Sequence, residues 1–158
     1  MTTLVGKNLL IPKRSCDGCT KCCEGYLEGV SYDYSFYPGR PCQFVKIGVG
    51  CSIYSQRPKD PCVDYKCSWI LEEDFPEWMK PNLVDVIVTK NLINNIPYLN
   101  AVEAGSVMSS KVLSWIINYC IARHINLRYQ VENGINLLGS PEFLAAIESA
   151  PNIKKEEK

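Results

Sequence analysis

Eight of the nine cysteines in this 158-residue chain lie between Cys16 and Cys67. No other feature narrows so far what the chain can fold into. The segment carrying them is rich in Gly, Pro and Tyr and offers few apolar residues to bury. Something other than an apolar core must hold it, and metal–thiolate bonds are the natural candidate, because binding energy then becomes folding energy. An odd number of cysteines excludes complete internal pairing into disulfides. The first twelve residues carry only short apolar pieces, with the first Lys after them, the reverse of the order in a secretory signal. No apolar run approaches the ~18 residues of a membrane span. The expected compartment is therefore the cytosol, where thiols stay reduced.

The spacing sharpens this. The core string is Cys16-Asp-Gly-Cys19-Thr-Lys-Cys22-Cys23, followed by Pro41-Cys42, Cys51-Ser-Ile-Tyr54-Ser-Gln-Arg57-Pro58, Pro61-Cys62 and Cys67. The candidate metal ligands are Cys16, Cys19, Cys22, Cys23, Cys42, Cys51, Cys62 and Cys67. A two-residue gap lets two thiolates turn toward one metal. Two overlapping gaps offer three ligands from one loop. A tetrahedral zinc more often takes pairs from separate loops, whereas three wrapped ligands with a distant fourth favour an iron–sulfur cluster. Cys22 and Cys23 are adjacent, and in an extended backbone neighbouring side chains point to opposite faces. Two sets of four, one cluster plus one structural metal, or one functional site with the other thiols buried all remain open. Tyr54 and Arg57 are candidates for the surroundings of the site, Tyr54 as a wall and Arg57 as a donor to a loop carbonyl or sulfur. Asp17, Glu24 and Asp64 read as solvated loop carboxylates. His124, the only histidine, reads as a cation near a helix C-terminus, and Cys120 as a small core hydrophobe. Trp69, Trp78 and Trp115 read as core. No residue is assigned a catalytic role.

The rest of the chain has a different texture. Residues 1–14 read as a leader, with a short strand near residues 9–11. Residues 15–69 form the cysteine module, residues 70–150 a small α+β unit, and residues 151–158 a solvated tail. Residues 72–74 could open a helical turn, limited by Pro76 and Pro81. Residues 83–89 are β-branched and read as a strand, residues 91–95 as a polar turn, and residues 98–103 as a second, antiparallel strand. Ser106 or Ser109 caps a helix running to about Arg123; Val112, Leu113, Ile116, Ile117, Cys120 and Ile121 recur at helical spacing. Residues 126–132 alternate like a strand, Asn133-Gly134 signals a hairpin, and residues 135–138 return. Ser140-Pro141 places a cap and a first-turn proline before a final helix. The predicted fold class is α+β: an irregular cysteine-rich metal-binding module packed on a small β-β-α-β-β-α unit.

From Cys16 to Cys67 the chain resembles the YkgJ-type CxxCxxCC family, described as a zinc- or iron-chelating domain. The resemblance rests on the CxxCxxCC core, the Pro-Cys, the Cys-x-Ile-Tyr-x-x-Arg-Pro string and the two later cysteines. Thr20 departs from it, standing where members often carry Gly. The resemblance implies metal chelation, by iron–sulfur or zinc. One branch, the flagellin lysine N-methylases, couples a similar cluster to methyl transfer, in much longer chains. A metal-dependent enzyme of redox or group transfer is thus one alternative, although no glycine-rich strand-to-helix loop for a methyl donor is present. A zinc-stabilised module for nucleic acid or protein is another. Lys+Arg and Asp+Glu balance at 17 each, so the global field that nucleic-acid binding exploits is missing.

Overall fold

The computed structural model describes residues 14–16 and 18–150. The expected strand near residues 9–11, the carboxylate of Asp17 and the tail at 151–158 lie outside the described residues.

The cysteine segment is built from turns and two short hairpins. Strands β1 (Gly29–Ser31) and β2 (Tyr34–Phe36) pair antiparallel. So do β3 (Val45–Lys46) and β4 (Gly50–Cys51). Before them the backbone makes a 3-10 turn at Lys21–Cys23, and after them a 3-10 turn at Tyr54–Gln56 and a wide turn at Lys59–Val63. Gly25 has φ +97°, and a Cβ there would meet the Tyr37 carbonyl oxygen at 2.7 Å, so only glycine fits without displacing backbone.

A four-residue helix, α1 (Ser68–Leu71), then leads out of the segment. It precedes residues 72–74, where a helical turn was expected; Glu72 is already extended (φ −102°, ψ 110°). A second short helix, α2 (Pro81–Val84), carries proline at its first position and ends at Asp85 in the left-handed region. It takes Leu83 and Val84 out of the expected strand, so β5 begins three residues later (Val86–Ile93). That strand continues through Asn91, and the turn to β6 (Ile96–Glu103) is only Asn94-Asn95, with φ 47° and 63°. Paired positive φ values make a type I′ turn, whose twist matches the strands.

Helix α3 (Ser110–Arg123) follows, with Ser109 as its cap accepting from Val112 N. It carries the chain across to β7 (Asn126–Val131), which lies parallel to β6, a connection that requires such a crossover. Strand β8 (Gly134–Leu138) pairs antiparallel with β7. The hairpin turn is one residue earlier than expected: Glu132 (φ 49°) and Asn133 (φ 69°) occupy its centre, and Gly134 pairs with Val131. Helix α4 (Pro141–Ser149) starts at the Ser140 cap. The β-β-α-β-β-α order of the α+β unit is thus observed, with sheet order β5-β6-β7-β8.

Strand alternation sends Leu99, Ala101 and Leu127 into the main core with Val112, Ile116, Tyr119 and Cys120 of α3, while Tyr98 joins Phe143 and Ile147 of α4. Cys120 is fully buried there, as expected of a core hydrophobe. Trp69 is buried and Trp78 and Trp115 pack against the same core. The cysteine segment joins this core directly: Cys67 is a buried member, and Cys22, Tyr26 and Leu27 pack on it. Among the described residues no helix is long and apolar enough to cross a membrane.

Candidate metal centre

Polar links hold the Cys16–Cys23 loop against the rest of the chain. Arg14 donates to the carbonyls of Trp69 (2.6 Å), Glu72 (3.1 Å) and Phe75 (2.6 Å), with its guanidinium 4.6 Å from the Trp69 ring centroid. Lys21 lies between Cys19 and Cys22 and pairs with Asp85 at 2.9 Å. Burial pushes the Lys21 ammonium down, but the Asp85 hydrogen bond and the Glu24 charge outweigh it and hold it above its ordinary value. The hydrogen bond from Lys21 holds the Asp85 carboxyl low. Thr20 is buried. Its hydroxyl donates to Glu24 at 2.6 Å and accepts from Gly48 N at 3.0 Å, tying the loop to the β3–β4 turn. A glycine there could make neither bond.

All nine cysteines are free thiols. The eight of the segment fall into two neighbourhoods. Cys22 feels Cys67 most, then its neighbour Cys23 and Cys19, and Cys67 feels Cys16 and Cys19. Cys23 feels Cys42, Cys62 and Cys51 most strongly, and Cys62 feels Cys42 and Cys51. The first set is therefore Cys16, Cys19, Cys22 and Cys67, and the second Cys23, Cys42, Cys51 and Cys62. The sets abut, because Cys22 and Cys23 are adjacent and Cys16 also acts on Cys23. The divergence of Cys22 from Cys23 does not come from extended backbone. Both sit in the 3-10 turn Lys21–Cys23, where three residues per turn rotate neighbours by roughly 120°.

The backbone gathers each set differently. The first takes three thiols from one loop and the fourth from Cys67, the residue that precedes α1. The second takes one thiol from each of four segments: Cys23 in the turn, Cys42 whose N–H bonds the Cys23 carbonyl at 2.8 Å, Cys51 in β4, and Cys62 in the Lys59–Val63 turn. The grouping is one of neighbourhood and not of coordination: among the described residues no three Cys, His, Asp or Glu side chains stand so as to hold a metal ion.

Burial shapes the thiols. It pushes Cys22 well up and Cys23 up to about 12, with the neighbouring sulfurs adding to both shifts. Cys62 and Cys67 are raised by the same cause. Hydrogen bonds work the other way: the Tyr65 hydroxyl on Cys22, the Ser31 hydroxyl on Cys62, and the N–H groups of Ile70 and Trp69 on Cys67. Burial also pushes Tyr65 far up, with the charges of Cys22, Cys67 and Cys16 adding to it.

The surrounding residues singled out from sequence lie further out. Arg57 stacks on the Tyr54 ring at 3.8 Å and donates to the Tyr54 carbonyl at 2.7 Å, and its charge reaches Cys62. Tyr54 is half exposed, so it carries Arg57 and does not wall off a site. Glu24 is engaged by Thr20 and Lys21, and Asp64 by Lys59. His124 is exposed at the left-handed C-cap of α3, remote in sequence from the eight cysteines of the segment. Sequence reasoning noted Thr20 only as a departure from the family pattern and did not find Ser31 or Tyr65. Tyr65 lay between two candidate ligands and could have been flagged by position; Ser31 carried no local signal.

Two depressions of about 270 Å³ and 370 Å³ lie on the α+β unit, the first lined by Trp115, Tyr119 and Arg123, the second by Trp78, Leu83 and Lys111. Neither is lined by a cysteine. Compared with known proteins, the chain matches no family model, no curated protein and no solved structure.

Proposed function

We propose that this chain is a metal-binding protein of the CxxCxxCC type, whose eight thiols serve two four-sulfur centres. Cys16, Cys19, Cys22 and Cys67 form one; Cys23, Cys42, Cys51 and Cys62 form the other. The proposed cofactors are an iron–sulfur cluster or Zn2+, bound in the reducing cytosol. The single observation that carries the proposal is the division of eight thiols into two neighbourhoods of four at the Cys22-Cys23 step.

The chemistry of the donor set fits. Sets of four soft sulfurs suit zinc or iron–sulfur, and not a hard cation. Burial makes the thiolates of Cys22, Cys23, Cys62 and Cys67 costly, so these four are poor as thiolates until a cation compensates the charge. A bound metal supplies that positive charge, and the chain's own part is to gather the sulfurs, release their protons and close the remaining distance. The wrapped loop of the first set with its distant Cys67 is the pattern favoured by an iron–sulfur cluster. The second set, drawn from four separate segments, suits a closed tetrahedral zinc.

Protein purified without air should carry metal, iron with inorganic sulfide for a cluster or zinc in a colourless sample. Cys22→Ser and Cys23→Ser should each remove the metal of one set and spare that of the other. Metal-free protein under these conditions, or full loading of both variants, would overturn the proposal.

A further inference from the structure

We propose that the depression of about 370 Å³ between α2 and the loop leading into α3 is a binding site for a small amphipathic carboxylate, an acyl chain of medium length with its anionic head at Lys111. The inference does not depend on the proposed metal centres, since no cysteine lines this depression.

The walls are held in place before any ligand arrives. Asp85 ends α2 in the left-handed region. Its carbonyl accepts from Ala104 N at 2.7 Å, and its carboxylate accepts from the Ser106 hydroxyl at 3.0 Å. Further along the same loop, Met108 N donates to the Glu103 carboxylate at 2.7 Å. Gly105 (φ +123°) packs so closely on this link that a Cβ there would meet Lys21 Nζ at 3.2 Å and the Tyr26 hydroxyl at 3.3 Å. Ala104 and Met108 are buried, whereas Val107 between them is 55% exposed, and Leu83 of α2 is 66% exposed. Single exposed apolar residues call for no explanation. These two line one depression together with Trp78, on backbone that is hydrogen-bonded at both ends of the loop. A pre-formed, largely apolar concavity with a few polar groups is the usual build of a small-molecule site, and its rigidity spares the ligand part of the ordering cost.

Charge selects the head group. Lys111 and Asp85 are the charged residues of the lining. The Asp85 carboxylate is taken up by Lys21 at 2.9 Å. Among the described residues no carboxylate pairs with Lys111. The depression therefore presents one uncompensated positive charge beside its apolar walls. The Lys111 ammonium lies over the Trp78 ring, 4.4 Å from its centroid, so that face of the indole is occupied. The apolar surface left for a ligand is mainly aliphatic, from Leu83, Val84 and Val107, which suits an acyl chain and not a stacked ring.

The test titrates the full-length protein with decanoate, decanol and decylammonium, each below its micellar concentration, and follows amide and indole N–H signals by NMR. Decanoate should shift the Trp78 indole and the amides of Val107 and Lys111 along one saturating curve. Decanol should bind about 2–5-fold more weakly, the worth of a partly exposed ion pair, and decylammonium more weakly still. Lys111→Met should weaken decanoate by the same about 2–5-fold and leave decanol unchanged. Leu83→Asp, at an exposed position, should abolish decanoate binding while the amide signals of α4 stay in place. Decanol binding as tightly as decanoate, or Lys111→Met without effect on decanoate, overturns the proposal. So do shifts that never saturate, or that centre on Trp115 and Arg123. The wild-type comparison of the three probes decides the matter even if a variant fails to fold.

Discussion

The two halves of this molecule are held by different forces. In the α+β unit, strands of eight, eight, six and five residues share one sheet, and buried Ile, Leu, Val and Phe side chains fill both its faces. In the cysteine segment the longest strand has three residues, and its buried side chains are few: Thr20, Ser31, Phe36, Cys42 and Cys67. A segment that buries so little apolar area has little hydrophobic stabilisation against the backbone entropy of ordering its turns, about 1–2 kcal/mol per residue. The comparison predicts where each half is vulnerable: the cysteine segment, under the proposed function, to removal of metal, and the α+β unit to loss of volume in its core.

Removing the metal is the largest expected effect. Structural zinc contributes about 10–16 kcal/mol of apparent binding energy in small folds. Chelating the loaded protein should therefore free the amides of residues 18–67 to exchange while those of α3 stay protected. Hydrogen exchange followed by peptide mass spectrometry reads this directly. Uniform loss of protection, or none, would dissolve the distinction between the halves.

A core truncation should show the converse. Phe75 is 1% exposed and packs edge-on against Trp115 and Tyr119, with ring centroids 4.8 and 5.0 Å away. Phe75→Ala should cost about 3–5 kcal/mol, measured by urea unfolding of the metal-loaded protein, with metal content unchanged. If metal content fell in step with stability, the two halves would be one cooperative unit.

The smallest effect concerns pH, in the metal-free protein. Burial raises Cys23 from 9.0 to about 12 and Cys120 from 9.0 to about 11, with Cys22, Cys62 and Cys67 raised as well. The folded state then holds its protons more tightly than the unfolded chain. The associated stability is complete below about pH 9 and is lost as pH rises toward 11 and 12. The urea midpoint should fall across that range. Loaded protein should behave oppositely at the acid side, releasing metal as protons compete for the thiolates. A metal-free midpoint that is flat above pH 9 would show that these thiols are not held in their buried places.

Much of the α+β unit was legible because its signals are local. Helical spacing from Val112 to Ile121, the caps at Ser109 and Ser140, and alternation in residues 126–131 each depend on near neighbours. The errors came where local cues conflicted. Leu83 and Val84 are strand-like, but Pro81 opens a helical turn that claims them. Asn133-Gly134 is a hairpin dipeptide, yet the pairing of Val131 with Gly134 sets the turn at Glu132-Asn133, since register is decided by strand pairing. In the candidate site the eight cysteines are singled out as candidates by count and spacing. Their sorting is not, because Cys67 reaches the first set, and Cys42, Cys51 and Cys62 the second, only through long-range chain folding.

By itself, then, the sequence determined that thiols are concentrated in a segment unable to build its own core, and that an α+β unit follows it. Only the tertiary structure decided which thiols are neighbours, and that Lys21 and Arg14 bind the cysteine loop to Asp85 and to the Trp69–Phe75 backbone. The physical reason is range. Cysteine number and hydrophobic period are properties of nearby residues, whereas a sulfur neighbourhood assembled from Cys22 and Cys67 exists only after the chain between them has folded.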